Sequence, residues 1–138
     1  MRFVDTNVLI YAVSTADGEQ TKRHAAHTIF RGQELGLSVQ VLQEFYVQAT
    51  RPTRLGALTH EQAEAIVTGL LRFPIAVTTP DVMRAAIATS QRYQIPYWDA
   101  AIIEAARTLG CDVVLSEDLG NGQDFGGVRV HNPFVDPQ

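Results

Sequence analysis

Apolar and polar positions along this chain fall into short blocks that change period repeatedly, from runs suited to a buried strand to runs suited to one helix face. The first block is Arg2-Phe3-Val4, followed by Asp5-Thr6-Asn7 and then by Val8, Leu9, Ala12 and Val13 at near-helical spacing. It is too short for a helix and too apolar for a loop. It predicts a strand that ends in the Asp5 carboxylate and passes into a helix started by Thr6 and Asn7. Gln20 to Leu35 places Ala25, Ala26, Ile29 and Phe30 on one side and Lys22, Arg23 and Arg31 on the other, which predicts an amphipathic helix closed by Gly36. Leu37-Ser38-Val39-Gln40-Val41 alternates with a period near two and predicts a second strand ending near Val41. Helical spacing returns from about Leu42, with Leu42, Phe45, Tyr46 and Ala49 on the apolar face and Gln40, Gln43, Glu44, Gln48 and Arg51 opposite.

Further on, Thr59-His60-Glu61-Gln62 has the form of a capping box and opens a helix through Ala65, Ile66, Leu70 and Leu71. A third strand is predicted over Ile75 to Thr78. Thr79-Pro80 starts another helix, with Val82, Met83, Ala86, Ile87 and Tyr93 expected toward the core. Ile95 to Ala106 reads as a helix apolar almost all round and therefore buried, with Asp99 at its start behind the only tryptophan and Glu104 and Arg107 in an exposed i,i+3 pair. Gly110 ends it, Asp112 to Ser116 forms a fourth strand, and Glu117-Asp118 follows directly. After the glycine-bearing loop Leu119 to Gly127 comes a last strand, Val128 to His131, and a tail, Asn132-Pro133-Phe134, that tucks one aromatic against the domain. Alternating strand and helix predicts the α/β class.

Composition narrows this picture. A chain of 138 residues with 46% hydrophobic content suits a single domain over residues 1–138 with a real core. No apolar run approaches a membrane span, and Met1 leads straight into a strand instead of a signal sequence, so a soluble cytoplasmic protein is expected. Cys111, the single cysteine, excludes an internal disulfide or a thiolate zinc cage and reads as a small buried hydrophobe. The formal charge of −4 opposes broad attraction to a polyanion. His24 and His27 have no ligand partners at zinc spacing and read as solvated, while His60 lacks a second histidine at position 64, which is Glu64. Gly120-Asn121-Gly122 precedes a strand instead of a helix, so it is no dinucleotide fingerprint.

Four acids remain: Asp5, Glu44, Asp99 and Asp118, each at or just beyond the end of an element. Singly, each has an ordinary explanation. Asp5, Asn7 or Asp99 can cap a helix, and Glu44 can sit on a solvated face. Together they form a pattern. Two carboxylates about 4 Å apart at an effective dielectric of about 20 repel by roughly 4 kcal/mol, so their convergence calls for a cation or a retained proton. Oxygen-only ligands select Mg²⁺ or Mn²⁺, the usual ions beside phosphate, and Ser116 and Thr6 are placed to orient such carboxylates. Arg51 and Arg54, in the break Arg51-Pro52-Thr53-Arg54, suit either gripping phosphates or keeping the surface soluble.

At this point the chain resembles PIN-domain ribonucleases, specifically the VapC-like toxins of bacterial toxin–antitoxin pairs. The resemblance runs through Phe3-Val4-Asp5-Thr6-Asn7-Val8-Leu9, Ser38 to Glu44, and Tyr97-Trp98-Asp99-Ala100. It continues in Ser116-Glu117-Asp118-Leu119, Phe125-Gly126-Gly127 and Asn132-Pro133-Phe134. It implies a three-layer α/β/α domain with a parallel five-stranded sheet in the order 3-2-1-4-5. It also implies that Asp5, Glu44, Asp99 and Asp118 occupy the family's metal site, supported by Thr6, Asn7 and Ser116. Glu117 either assists through water or is an ordinary turn residue. The activity implied is Mg²⁺- or Mn²⁺-dependent hydrolysis of RNA, with Arg51, Arg54, Lys22 and Arg23 as candidate RNA contacts, a cognate antitoxin and a homodimer. Two rivals remain. A phosphotransfer domain of the receiver or haloacid-dehalogenase type needs a second acid where Asn7 stands and a lysine near Ser116. A catalytically silent PIN-like binding module is weakened by the intact acids.

Overall fold

A computed structural model describes residues 1–31 and 34–135 of the chain. Five short strands, β1 (Arg2–Val4), β2 (Leu35–Ser38), β3 (Ile75–Ala76), β4 (Val113–Leu115) and β5 (Arg129–His131), pair in parallel in the order β3-β2-β1-β4-β5. Strands covered on both faces read as continuous apolar runs, and Phe3, Val4, Leu35, Leu37, Val114 and Leu115 are indeed buried. Six helices connect and cover them: α1 (Thr6–Ala12), α2 (Gln20–Ile29), α3 (Val39–Ala49), α4 (His60–Leu70), α5 (Pro80–Tyr93) and α6 (Tyr97–Thr108). This is the expected three-layer α/β/α arrangement. Fully buried Phe3, Phe45 and Phe125 anchor its core, each contributing roughly 1.5–3 kcal/mol. Because the order reverses between β1 and β4, the topology puts the usual ligand position of an open α/β sheet beyond the C-terminal ends of these two strands.

Several local signals act as the sequence predicts. Thr59 and Gln62 close a complete capping box at α4. The Thr79 hydroxyl accepts from the Val82 amide at the start of α5, where Pro80 fills the first turn. Phe134 packs edge-on to Tyr11 with ring centroids 4.9 Å apart, Cys111 is buried, and His24 and His27 are exposed.

Others are corrected. α2 stops at Ile29, short of Leu35; Gly32 and Gln33, which periodicity assigns to that helix, lie outside the described residues. Gly36 is not a helix terminator but the second residue of β2. A Cβ there would stand 2.8 Å from Leu109 Cδ1 and 3.1 Å from Cys111 Sγ, so the glycine lets the end of α6 lie close on the sheet. Ser38 ends β2 and caps α3, accepting from the Val41 amide at 3.2 Å, so Val39, Gln40 and Val41 are helical and not a strand. β3, β4 and β5 are shorter at their ends than predicted, while β1 spans Arg2–Val4 as expected. Met83 and Ile87 are exposed instead of buried, because α5 rests on α6 along a narrow seam, with Ala86 against Ala100 and Ala101. Glu104 is buried where an exposed pair was expected: Arg107 Nε lies 3.0 Å away and the Thr89 hydroxyl donates to it at 2.9 Å.

Candidate metal centre

Asp5 is the residue at which β1 becomes α1. Its amide bonds to the Leu115 carbonyl of β4, which ties it to the neighbouring strand, and its side chain is 7% exposed. One carboxylate oxygen accepts from the Thr6 amide at 2.7 Å, so the capping role is real. The other oxygen accepts from the Ser116 hydroxyl at 2.8 Å, an interaction that capping alone does not need.

Ser116 follows β4 and is wholly buried. Its oxygen also receives the amides of Asp118 at 3.1 Å and Leu119 at 3.4 Å, so its own proton is committed to Asp5. Asn7 completes this side. Its Oδ1 accepts the Glu117 amide at 3.1 Å, which fixes the orientation of the side-chain amide. Its Nδ2 then faces Asp118 at 3.1 Å, Ser116 at 3.3 Å and Asp5 at 3.4 Å. Asp5, Asn7, Ser116 and Asp118 thus form one connected group.

Glu44 approaches from α3. The Thr6 hydroxyl donates to one of its oxygens at 2.7 Å and the Gln40 amide to the other at 3.0 Å. Gln40 also reaches the Trp98 carbonyl, at 3.4 Å, in the first turn of α6. Asp99 is the next residue in that turn, and no donor bonds to its carboxylate among the described residues. Gln40 was not singled out as a site residue from the sequence, although it stands four residues before Glu44 on the same helix face. Tyr11, four residues after Asn7 on α1, was missed for the same reason.

The electrostatics mark convergence. Burial raises the Asp5 pKa from 3.8 to about 6; the bonds from Ser116 and Thr6 oppose the rise, and the charges of Asp118 and Glu44 add to it. Asp99 is also raised, first by burial and then by Asp118 and Glu44. Acids on β1, α3, α6 and the loop after β4 therefore sense one another. Among the described residues no three His, Cys, Asp or Glu side chains are disposed to hold one ion unaided. A carboxylate-only donor set with a free Asp99 nonetheless fits Mg²⁺, which keeps several of its waters and needs only one or two carboxylates.

Glu117 points elsewhere. Its oxygens receive the Tyr11 hydroxyl at 2.6 Å and Lys22 Nζ at 2.6 Å, and the ammonium lies 4.7 Å from the Tyr11 ring centroid. Burial works against the Glu117 charge, but Lys22 and Tyr11 outweigh it and lower the pKa, while the same contacts raise that of Lys22 to about 12. Of the other candidate cations, Arg23 bonds the Ser14 carbonyl and Arg54 the Ile10 carbonyl. Arg51 is exposed and borders a shallow groove with Glu44 and Gln48. The larger groove of about 580 Å³ between α3 and α4, lined by Val39, Leu42, Tyr46 and Val67 among others, is apolar and contains none of the four acids.

Comparison with known proteins agrees with this architecture. The family model described as the PIN domain matches residues 2–120. Among solved structures, a toxin–antitoxin complex from Klebsiella pneumoniae is 21% identical, aligned over 97% of this chain and 98% of that one with a TM-score of 0.70. VapC20 of Mycobacterium tuberculosis, described as a sarcin–ricin loop cleaving toxin, is 16% identical over 86% of this chain and 92% of its own, with a TM-score of 0.66. FitAcB from Neisseria gonorrhoeae is 18% identical over 97% and 99%, with a TM-score of 0.69. The comparison with curated proteins gives no match.

Proposed function

Because the chain belongs to the PIN-domain family, we propose that it is a metal-dependent endoribonuclease and the toxin of a toxin–antitoxin pair. The observation that carries this reading is the hydrogen-bonded cluster itself: Asp5 and Asp118 share Ser116 and Asn7, Glu44 is held by Thr6 and Gln40, and Asp99 follows the Trp98 carbonyl that Gln40 also reaches. Acids gathered in this way are relieved by a divalent cation, and a phosphodiester brings further negative charge that such a cation also offsets.

Asp5, Glu44, Asp99 and Asp118 would hold Mg²⁺, or Mn²⁺ in its place. When bound, the ion supplies positive charge at the phosphate and a more acidic water. The chain's own groups set the geometry. Ser116 and Asn7 orient Asp5 and Asp118, while Thr6 and Gln40 hold both oxygens of Glu44. Arg51 beside Glu44 is the basic residue best placed to steer the RNA strand. An antitoxin and a second copy of the chain are the proposed partners; among the described residues no helix is long and apolar enough to cross a membrane.

The test is cleavage of a mixed RNA pool with Mg²⁺ or Mn²⁺, with EDTA, and with Asp99→Asn. Metal-dependent cutting abolished in both controls is the expected result. Folded protein that is free of inhibitor, supplied with either metal and still inert toward RNA would overturn the proposal and favour a silent binding module.

A further inference from the structure

We propose that Glu117 is a positioning residue: gripped by Tyr11 and Lys22 beside the ring of Phe134, it sets the turn that presents Asp118, which makes the C-terminal tail part of the site. The proposal rests on the nuclease reading above and deepens it.

The turn Ser116-Glu117-Asp118 is held from three sides. From β5, the His131 carbonyl accepts the Ser116 amide at 3.1 Å. From α1, Asn7 and Tyr11 stand one helical turn apart on the same face and take Glu117 at two points. Asn7 Oδ1 accepts its amide at 3.1 Å, and the Tyr11 hydroxyl donates to its carboxylate at 2.6 Å. From α2, Lys22 Nζ donates to the other carboxylate oxygen at 2.6 Å and to the Tyr11 hydroxyl at 3.1 Å.

The tail closes this group. Phe134 meets Tyr11 edge-on with centroids 4.9 Å apart, and Lys22 Nζ lies 4.7 Å from the Tyr11 centroid and 5.9 Å from that of Phe134. The tail is itself pinned, since the Phe134 amide donates to Asn132 Oδ1 and the Asn132 amide to Asn121 Oδ1, each at 2.9 Å. Asn121 belongs to the loop that follows Asp118, so tail and turn are tied to each other.

A partly exposed ion pair adds little to stability, so this much bonding around one turn residue calls for another account. Asp118 supplies it. Among the described residues its carboxylate has one donor, Asn7 Nδ2 at 3.1 Å, so its place depends on the backbone of the turn. A ligand carboxylate has to be held to within about 0.5 Å, and a loop does that only when its neighbours are locked. Glu117 is the neighbour that is locked.

Three variants loosen the grip in different ways. Tyr11→Phe removes one hydroxyl and keeps the ring against Phe134, Glu117→Gln removes the charge at constant size, and Phe134→Ala strips the cover. Amide hydrogen exchange of the metal-free proteins, Mg²⁺ binding by calorimetry and RNA cleavage with Mg²⁺ would be measured on each. Expected is exchange about tenfold faster at the Glu117, Asp118 and Leu119 amides, with the β1 and β4 amides unchanged. Mg²⁺ affinity should fall about three- to tenfold, and kcat by a similar factor with KM for RNA unmoved. Tyr11→Phe combined with Glu117→Gln should do no more harm than the worse single change, because both break one contact. Turn amides that exchange as in the wild type, with Mg²⁺ affinity unchanged, overturn the proposal. Equal acceleration at β1 and β4 overturns it too, because that is the mark of a cluster that serves only stability. A Glu117→Gln loss as large as that of Asp99→Asn would make Glu117 a ligand and also overturn it. Wild-type protein that cleaves no RNA overturns the nuclease reading alone, since exchange at the turn still decides the role of Glu117.

Discussion

On one bank of the acidic cluster Asp5 and Asp118 sit among fixed donors, tied through Ser116 and Asn7 to two strands and the loop after β4; on the other, Asp99 stands in the first turn of α6 with no donor bonded to it among the described residues. Both banks carry raised carboxylates, but for the Asp5 side the surrounding bonds already oppose the rise. The first bank is organised before any ligand arrives. The second depends on the stiffness of a helix start and on charge brought from outside. In the proposed nuclease such a site would separate two tasks, one side fixing geometry and the other responding to the ion and the substrate.

The largest effect should come from the unsupported acid. Asp99→Asn is expected to lower kcat/KM for RNA by about a thousandfold or more, equivalent to several kcal/mol of transition-state stabilisation, while the melting temperature stays within a few degrees of the parent. Asp5→Asn should lose as much activity but also disturb the fold, since one of its two oxygens becomes a donor aimed at Ser116 or Thr6. Equal melting temperatures for the two variants would erase the distinction between the banks.

Next in size is a pH effect on the metal-free protein. Folded Asp5 keeps its proton to about pH 6, whereas the unfolded residue loses it near 3.8. Between those values the folded chain holds the extra proton, so stability falls as pH rises through the window. The gap corresponds to roughly 3 kcal/mol at most. Denaturant unfolding in EDTA should therefore show somewhat under half of this contribution at about pH 5 and its loss by about pH 7.5, with Asp5→Asn reducing the dependence to the part that the raised Asp99 carries. Added Mg²⁺ should act in the opposite sense, raising the melting temperature more at the higher pH, because ligation needs the ionised carboxylate.

Ser116→Ala tests the organised bank directly. It removes the donor to Asp5 and the acceptor of the Asp118 and Leu119 amides, and a fall of about 10- to 100-fold in metal affinity is expected by calorimetry. Gln40→Ala, which leaves Thr6 still holding Glu44, should cost less. If Gln40→Ala proved the more damaging, Glu44 and not Asp5 would be the centre of the organised set.

Much of this was legible before the structure. Arg2-Phe3-Val4-Asp5 announces its own geometry, because a three-residue apolar run ending in an acid has few ways to fold. The Thr59–Gln62 box and the Thr79-Pro80 start carry their hydrogen bonds in adjacent residues. The segment around Gly36 and Ser38 was not legible, since a glycine that ends a helix and one that admits a neighbouring helix look alike until Leu109 and Cys111 are in place. Ser38 fits a period-two run and a helix cap equally well. The exposure of Met83 and Ile87 depends on how little of α5 is covered by α6, and helical periodicity alone does not report that. Asp5, Asp99 and Asp118 were readable as element ends, but Glu44, expected one turn beyond a strand, lies midway along α3 because β2 already ends at Ser38, and the part played by Gln40 required α3 to meet α6.

The smallest expected effect concerns Lys22, nominated from the sequence as an RNA contact and found bonded to Glu117 and Tyr11. The pair is partly exposed, at 38% for Lys22 and 26% for Glu117, so breaking it should cost less than about 1 kcal/mol of stability. Lys22→Met keeps the aliphatic stem against Tyr11 and Phe134 and removes only the charge. If Lys22 serves to anchor the turn that carries Asp118, the variant should lose a few-fold in kcat, and the salt dependence of RNA binding should keep its slope. A phosphate contact would instead leave kcat alone and reduce that slope by about 0.7, the signature of one released counterion on a single strand. Binding isotherms at three salt concentrations distinguish the two, and they decide whether the organised bank extends as far as α2 or ends at Asn7.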